Sequence, residues 1–237
     1  MKALVLFATL AVSSAALAQD AAKEIQRYRD MIAEGSPAEL FELEGETLWK
    51  KPQGPKNATI LIIRHAEAPP KPPDVKPEPP PGTFNPDLMP AGRARANAYA
   101  AYFEDWFSLD TKSPPVQINR LFAADESGMS RRPILTLEPL SHELNLYIDH
   151  RFEDKHYAEL AAELQTNPDY TGDTILICWH HGQLIDLANA LGMQAKPPWP
   201  KWPGSVYGWV AQLVYDANGQ VTTSSYRNGQ FMYDDAS

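Results

Sequence analysis

The sequence of 237 residues has little cysteine, little positive charge and no long apolar run. Its single cysteine, Cys178, excludes an intramolecular disulfide, a CxxC redox pair and a zinc site built from cysteines alone. Its 21 Lys and Arg are outnumbered by 30 Asp and Glu, so the net charge of -9 repels polyanions. Because no segment forms a basic patch, nucleic acids and anionic membranes rank last among the partner classes.

The longest apolar run extends from Ala3 to Leu17, with Lys2 before it and Ala18 after it. This run is shorter than the roughly 18 apolar residues that a membrane-spanning helix needs. A short apolar run between a positive charge and small residues is typical of a secretory signal peptide. We therefore expect residues 1–18 to be a signal peptide and not a membrane anchor, and the protein to be periplasmic or secreted.

Residues 19–57 have the pattern of a helical N-terminal extension that ends in a linker rich in Lys, Pro and Gly. Residues 24–58 resemble the N-terminal part of the cytochrome subunit of bacterial thiosulfate-oxidising complexes. The resemblance rests on four short stretches: Arg27–Arg29, Pro37–Leu40, Leu48–Lys51 and Gly54–Ala58. Because the chain has no CxxCH motif, this resemblance implies no haem.

From Ala58 onward, strand and helix patterns alternate, which predicts an α/β domain over residues 58–237. The segment from Pro69 to Pro90 holds 10 of the 22 prolines, so it is expected to be an extended surface loop. The C-terminal pattern predicts a β-hairpin. The predicted elements are strands at Thr59–Ile63, Asn119–Ala123, Leu144–Ile148 and Thr174–Trp179, helices at Ala91–Phe107, Arg131–Glu143, Asp154–Gln165 and Gln183–Leu191, and hairpin strands at Val206–Tyr215 and Gln220–Tyr226.

Polar side chains follow two of the buried strands directly. Arg64 and His65 come after the first strand, and His180 and His181 come after the strand at Thr174–Trp179. Ligands of open parallel sheets bind outside the carboxyl ends of the strands. We therefore expect these histidines to meet at one edge of the sheet.

A third element has the composition of an anion site. Ser130 is placed to cap a helix, with Arg131, Arg132 and Pro133 in its first turn. Cations at a helix N-terminus oppose the helix dipole, but together with the backbone N–H groups they suit phosphate oxygens. The pattern predicts that this helix start helps to bind an anion.

Four ordered blocks carry a family resemblance: Arg64–Glu67 after a strand, Leu88–Arg95 at the next helix, Ser130–Thr136, and Leu176–Gly182. In this order they resemble the histidine phosphatase superfamily, also called phosphoglycerate mutase-like. The resemblance covers about residues 58–237. It implies a three-layer α/β sandwich with a mainly parallel central sheet, to which the sequence adds the C-terminal β-hairpin.

The resemblance also implies roles for individual residues. His65 is the nucleophile, and it must attack as a neutral imidazole whose other nitrogen donates to an oxygen. Arg64, Arg132 and His181 surround the transferred phosphoryl group, with His181 protonated. His180 is expected to be a neighbour with no direct role.

The general acid is less clearly marked. The family usually supplies it from the segment that corresponds to Asp149–Asp154, and Asp154 falls on the acid position with Glu153 next to it. His156 and Tyr157 stand where the family has a glycine and a second glutamate. Asp154 is therefore the expected acid, with Glu153 and a purely capping Asp154 left as alternatives.

We expect from these residues an exported phosphatase that acts through a phosphohistidine on a small phosphorylated substrate, without a metal or other cofactor. One alternative is a catalytically degenerate domain that binds a phosphorylated ligand or a protein partner. Another is a metal site in the acidic segment, for which the candidate ligands are Asp149, His150, Glu153, Asp154 and His156.

Overall fold

The computed structural model describes residues 54–69, 88–103, 117–127, 130–229 and 231–232. The predicted signal peptide, the N-terminal helices and most of the proline-rich loop, residues 70–87, lie outside these ranges. The division of the chain at residues 18 and 57 therefore stays a prediction.

Strands and helices alternate along the described part of the chain. In chain order they are β1 (Thr59–Arg64), α1 (Pro90–Phe103), β2 (Arg120–Ala123), α2 (Arg132–Leu144), β3 (Ile148–Asp149), α3 (Tyr157–Thr166), β4 (Thr174–Trp179), α4 (Leu184–Ala190), β5 (Trp209–Tyr215) and β6 (Val221–Asn228). Two short 3-10 turns, Asp154–His156 and Pro168–Tyr170, flank α3.

The strands form a six-stranded sheet in the order β3-β2-β4-β1-β5-β6. The first four strands pair in parallel, and the hairpin of β5 and β6 joins β1 antiparallel. Central β1 and β4 consist of continuous apolar runs because both faces of each strand are covered. Their register pairs Arg64 with Trp179, so His65 and His180 follow at equivalent positions.

Alternation along β1 divides the core into two halves. Ile60 and Ile62 pack on the face covered by α3 and α4, together with Leu160 and Leu187. Their neighbours in β1 point to the opposite face, where they meet Tyr99 of α1 and α2 residues such as Leu137. The predicted α/β sandwich of three layers, with a mainly parallel sheet and a C-terminal hairpin, is therefore confirmed.

Several element boundaries differ from the sequence prediction, and three of the differences have a local physical reason. The helix predicted from Ala91 begins at Pro90, a first-turn position that proline tolerates. Leu144 ends α2 instead of starting a strand, because Asn145 adopts a φ of 52° in the left-handed region that terminates helices. The helix predicted from Asp154 opens with a 3-10 turn, so α3 starts at Tyr157. Among the described helices, none has the length and apolar character that a membrane crossing requires.

Candidate active site

A cavity of about 430 Å³ opens at the carboxyl ends of the parallel strands. Every segment that follows a parallel strand contributes to its wall, as the topology of an open α/β sheet requires. The lining residues are His65, Asp125, Ser127, Ser130, Arg132, Glu153, Asp154, Lys155, His180, His181, Gly182 and Gln183. The cavity thus contains most of the site residues named from the sequence.

His65 is held in one tautomer at the end of β1. Its side chain is 3% exposed, and Nδ1 lies 2.8 Å from the carbonyl oxygen of Ala66. A carbonyl oxygen only accepts hydrogen bonds, so Nδ1 carries the hydrogen and Nε2 keeps its lone pair. Within the described residues, Nε2 has no hydrogen-bond partner.

The surroundings of His65 also keep the imidazole neutral. Burial lowers its pKa well below 6.5, and nearby His180, Arg64 and Arg132 lower the pKa further. The carbonyl of Ala66 opposes this shift, but less strongly. At neutral pH His65 is therefore an uncharged imidazole with an unprotonated Nε2 in the cavity.

Thr136 joins the loop of His65 to the start of α2. Its hydroxyl accepts a hydrogen bond from the backbone N–H of Ala66 at 2.9 Å and donates to the carbonyl of Arg132 at 2.8 Å. Thr136 is fully buried, so water does not compete for these bonds. One side chain thus fixes the nucleophile relative to the helix start, a role that the sequence analysis did not assign.

The two arginines at the start of α2 have different surroundings. Arg131 forms exposed ion pairs with Glu126 and Glu138. Arg132 lines the cavity, and its buried Nε has no hydrogen-bond partner among the described residues. Burial lowers the pKa of Arg132, and no ion pair with a described carboxylate compensates for the lost hydration. Arg132 therefore presents to the cavity a cation that no described carboxylate neutralises.

Arg64 is not among the lining residues of this cavity. Its Nη1 donates to the carbonyl oxygens of Pro203, Gly204 and Val206 at 3.3, 2.7 and 3.0 Å. Its Nη2 donates to the hydroxyl of Tyr207 at 3.2 Å, and the guanidinium lies 3.8 Å from the centre of that ring. The terminal nitrogens that the resemblance assigns to a phosphoryl group thus contact the loop before β5 in this structure.

The structure places His180, more than His181, against the nucleophile. The rings of His65 and His180 lie 5.0 Å apart in an edge-to-face arrangement. Burial lowers the pKa of His180 to about 3, with Arg132 and His181 acting in the same direction. The sequence predicts no direct role for His180. Its place after β4, equivalent to that of His65 after β1, is nevertheless a signal for this contact.

His181 is the more exposed of the pair and also lines the cavity. Burial lowers its pKa, and the positive charges of Arg64 and Arg132 lower it further. These effects oppose the protonated His181 that the resemblance implies. A bound phosphoryl dianion would have to supply the negative charge that retains the proton.

Asp154 and Glu153 differ in pKa, which determines which of the two carboxyl groups can donate a proton. Burial raises the pKa of Asp154 to about 6. When the Gln183 amide is oriented so that both its oxygen and its nitrogen have suitable partners, the nitrogen donates to both carboxylate oxygens of Asp154 at 3.0 Å. Exposed Glu153 pairs with Lys155 at 2.9 Å, which lowers its pKa. Of these two carboxyl groups, Asp154 is therefore the one that holds a proton near neutral pH.

Asp125 is a cavity residue that the sequence analysis did not name. It follows β2 at the same sheet edge, and its Oδ1 lies 2.7 Å from Nδ1 of His150. Its place after a parallel strand, like that of His65, was the available signal. Within the described residues, the structure brings together no group of three or more His, Cys, Asp or Glu that could hold a metal ion.

The chain matches no protein-family model. It is 50% identical over 38 residues to the L-cysteine S-thiosulfotransferase subunit SoxA of Hydrogenophilus thermoluteolus, a match that spans 16% of this chain and 14% of that protein. The match is about as long as residues 24–58, the segment that resembles the N-terminal part of a thiosulfate-oxidising cytochrome subunit.

Two solved structures are similar in fold. The protein histidine phosphatase SixA complexed with tungstate is 20% identical, with a TM-score of 0.39 over 72% of this chain and 97% of the other. The phosphoglycerate mutase of Bacillus anthracis is 14% identical, with a TM-score of 0.43 over 77% and 97% of the two chains.

Proposed function

We propose that this protein is a phosphomonoesterase that forms a phosphohistidine on Nε2 of His65. One observation carries the proposal: a buried, neutral imidazole whose Nδ1 is fixed on the Ala66 carbonyl and whose Nε2 lies in the cavity. This is the state that a histidine nucleophile needs. A histidine that only filled the core would use both nitrogens or neither.

The proposed reaction has two steps. In the first, Nε2 of His65 bonds to phosphorus, the bond to the ester oxygen breaks, and Asp154 gives its proton to that oxygen. In the second, water attacks phosphorus, the P–N bond breaks, and the Asp154 carboxylate takes the proton of the water. Inorganic phosphate leaves, and both residues return to their starting states.

The other cavity residues stabilise charge in this scheme. Arg132 binds the non-bridging oxygens, because its guanidinium is unpaired and partly buried beside the nucleophile. His181 donates to another of these oxygens once the dianion has raised its pKa. His180 packs edge-on against His65 and limits the orientation of the nucleophilic ring.

The test is covalent labelling of the protein with an active phosphoester. We expect label on His65 that is lost in acid and retained in alkali, the stability of a phosphoramidate. His65→Asn should abolish it. His142→Asn is the matched control, since His142 is an exposed residue of α2 outside the cavity. Acid-stable label, or full labelling of His65→Asn, would refute the proposal.

The same experiment separates catalysis from binding alone. A degenerate domain would bind inorganic phosphate through Arg132 and His181 but would neither become labelled nor turn over an aryl phosphate. Binding that is lost in Arg132→Leu, without any turnover, would therefore establish the binding function instead.

A further inference from the structure

The sheet order divides the cavity into two chemically different halves. His65 follows β1 and His180 and His181 follow β4, so the imidazoles lie on the β1 side. Asp125 follows β2, and Glu153 and Asp154 follow β3, so the carboxyl groups lie on the other side. The ends of β1 and β2 are two strand spacings apart, about 10 Å, because β4 lies between them. A ligand attached to His65 therefore enters the acidic half when it extends across the end of β4.

The acidic half also contains the cations Arg132 and Lys155, but within the described residues neither forms an ion pair with Asp125. Glu153 is paired with Lys155 at 2.9 Å. Asp125 uses Oδ1 twice, toward Nδ1 of His150 at 2.7 Å and toward the N–H of Glu126 at 2.9 Å. Oδ2 of Asp125 has no hydrogen-bond partner in the described ranges, and the side chain is 33% exposed.

The position of these acids relative to His65 indicates which part of a substrate they would contact. His65 is 3% exposed and presents an unpartnered Nε2 to the same cavity, which fixes where the phosphoryl group would sit. The leaving group must then be directed to Asp154, its proton donor, and so toward Asp125. A carboxylate with an open oxygen beside the leaving group favours a cation there.

We propose, on the basis of the function above, that the substrates are phosphomonoesters of short amino alcohols, with the ammonium group held by Oδ2 of Asp125. A primary ammonium fits better than a quaternary one, because the described cavity lining has no Phe, Tyr or Trp. Quaternary ammonium groups are bound by aromatic faces, whereas a primary ammonium donates hydrogen bonds to carboxylates. A cationic leaving group also reduces the repulsion between a phosphate ester and a chain of net charge -9.

A second cavity of about 500 Å³ offers the competing route. It shares His181 and Gly182 with the first cavity and continues to Lys201, Asp186 and Trp202. A leaving group that entered it would meet the exposed ammonium of Lys201. Substrates with an anionic alcohol part would then be preferred, so the two routes predict opposite charge preferences.

The test compares three phosphate esters of similar size and different charge: phosphoethanolamine, n-propyl phosphate and phosphoglycolate. The leaving groups carry a positive, zero and negative charge, and the full-length chain is used. We expect kcat/KM to fall in that order, with at least a tenfold preference for phosphoethanolamine over n-propyl phosphate. Asp125→Asn should reduce this preference about tenfold, and added salt should weaken it.

Asp186→Asn is the matched control, because it removes an exposed carboxylate that lines only the second cavity. The charge preference should survive in this variant. Equal hydrolysis of the three esters would overturn the substrate assignment while leaving the phosphatase proposal intact. A preference for phosphoglycolate would overturn it in favour of the Lys201 route. No hydrolysis of these esters or of an aryl phosphate would mean that the function itself is wrong.

Discussion

Burial separates two carboxyl groups that are adjacent in sequence. Asp154 is partly buried, and this burial raises the pKa of its carboxyl group to about 6, while Nε1 of Trp179 donates to its backbone carbonyl at 3.1 Å. Glu153 remains in solvent beside Lys155, and its pKa falls. A general acid works best with a pKa near the working pH, which is the state of Asp154 alone.

Asp154→Asn should therefore slow the hydrolysis of an alkyl phosphate by about 100-fold, the lower end for general acid catalysis, and slow an aryl phosphate far less. Because Asp154 must be protonated to act, kcat/KM of the wild type should fall as the pH rises through about 6. The variant should lack this fall.

The measurement is a pH profile of both enzymes on the same alkyl phosphate, so that the ionisation of the substrate contributes equally to both. Equal slowing of alkyl and aryl phosphates would show that Asp154 is structural. The same comparison would then be made with Glu153→Gln.

Arg64 is a charged side chain whose hydrogen bonds in this structure go to a loop. Its guanidinium donates to three backbone carbonyls before β5 and to the Tyr207 hydroxyl. Hydrogen bonds from a charged donor contribute about 1.5–3 kcal/mol each, though not additively. We therefore expect Arg64 to act mainly by stabilising the loop at residues 203–207.

We expect Arg64→Lys to lower the free energy of unfolding by about 2–3 kcal/mol, because one ammonium cannot reproduce the planar fork of donors. Arg132→Lys should instead lower kcat/KM and leave stability nearly unchanged. Denaturant unfolding and aryl phosphate kinetics on both variants check this. If Arg64→Lys loses activity at unchanged stability, Arg64 binds the phosphoryl group as the resemblance implies.

At the scale of elements, the active site depends on how α2 docks against the end of β1. Thr136 makes this connection through its two hydrogen bonds, to the Ala66 N–H and the Arg132 carbonyl. Gly92 of α1 adds a close approach from the other side, since a Cβ there would lie 2.1 Å from the Glu67 carbonyl oxygen. The loop that carries His65 is thus held between two helices.

Thr136→Val keeps the shape of the side chain but leaves the buried N–H of Ala66 without a partner. We expect a loss of about 1–3 kcal/mol in the free energy of unfolding, together with a lower kcat, because the His65 loop becomes less restrained. Thr136→Ser retains the hydroxyl and should restore most of the kcat. Unfolding and turnover of the two variants are the measurements, and an equal kcat in Val and Ser would exclude this positioning role.

At the scale of the whole molecule, the buried histidines couple stability to pH. His65 and His180 have pKa values below 6.5 in the folded protein, with His180 at about 3, because burial opposes their charged forms. The unfolded chain binds these protons near pH 6.5 and the folded chain does not, so acidification below about 6.5 favours unfolding. Asp154 acts in the opposite sense between its ordinary pKa of 3.8 and about 6, but it is one group against two.

His180 alone should contribute about 2 kcal/mol to the loss of stability between pH 6.5 and pH 5, at 1.36 kcal/mol per pKa unit. Denaturant unfolding of the wild type and of His180→Gln at pH 7.5 and pH 5 measures this contribution. The variant should lose about 2 kcal/mol less than the wild type on acidification. The same loss in both proteins would show that His180 is protonated in the folded state.

The architecture follows from local patterns in the amino-acid sequence. The apolar runs of β1 and β4 indicate strands buried on both faces, and their ends place His65 and His180 at one sheet edge. The boundaries between elements were predicted less accurately, as at Asp154 and Asn145, because hydrogen bonds and backbone angles determine where an element starts and ends.

Tertiary packing determines which side chains share the cavity and which protonation state each of them has. Three features of the site depend on residues that are far apart in the chain. They are the hydrogen bonds from Arg64 to the carbonyls before β5, the position of Asp125 in the cavity and the burial of Asp154. Burial sets the pKa values of the site, and burial depends on every layer that packs over a residue. Sequence spacing names the residue types at a strand end, whereas their charge and direction follow from the packed molecule.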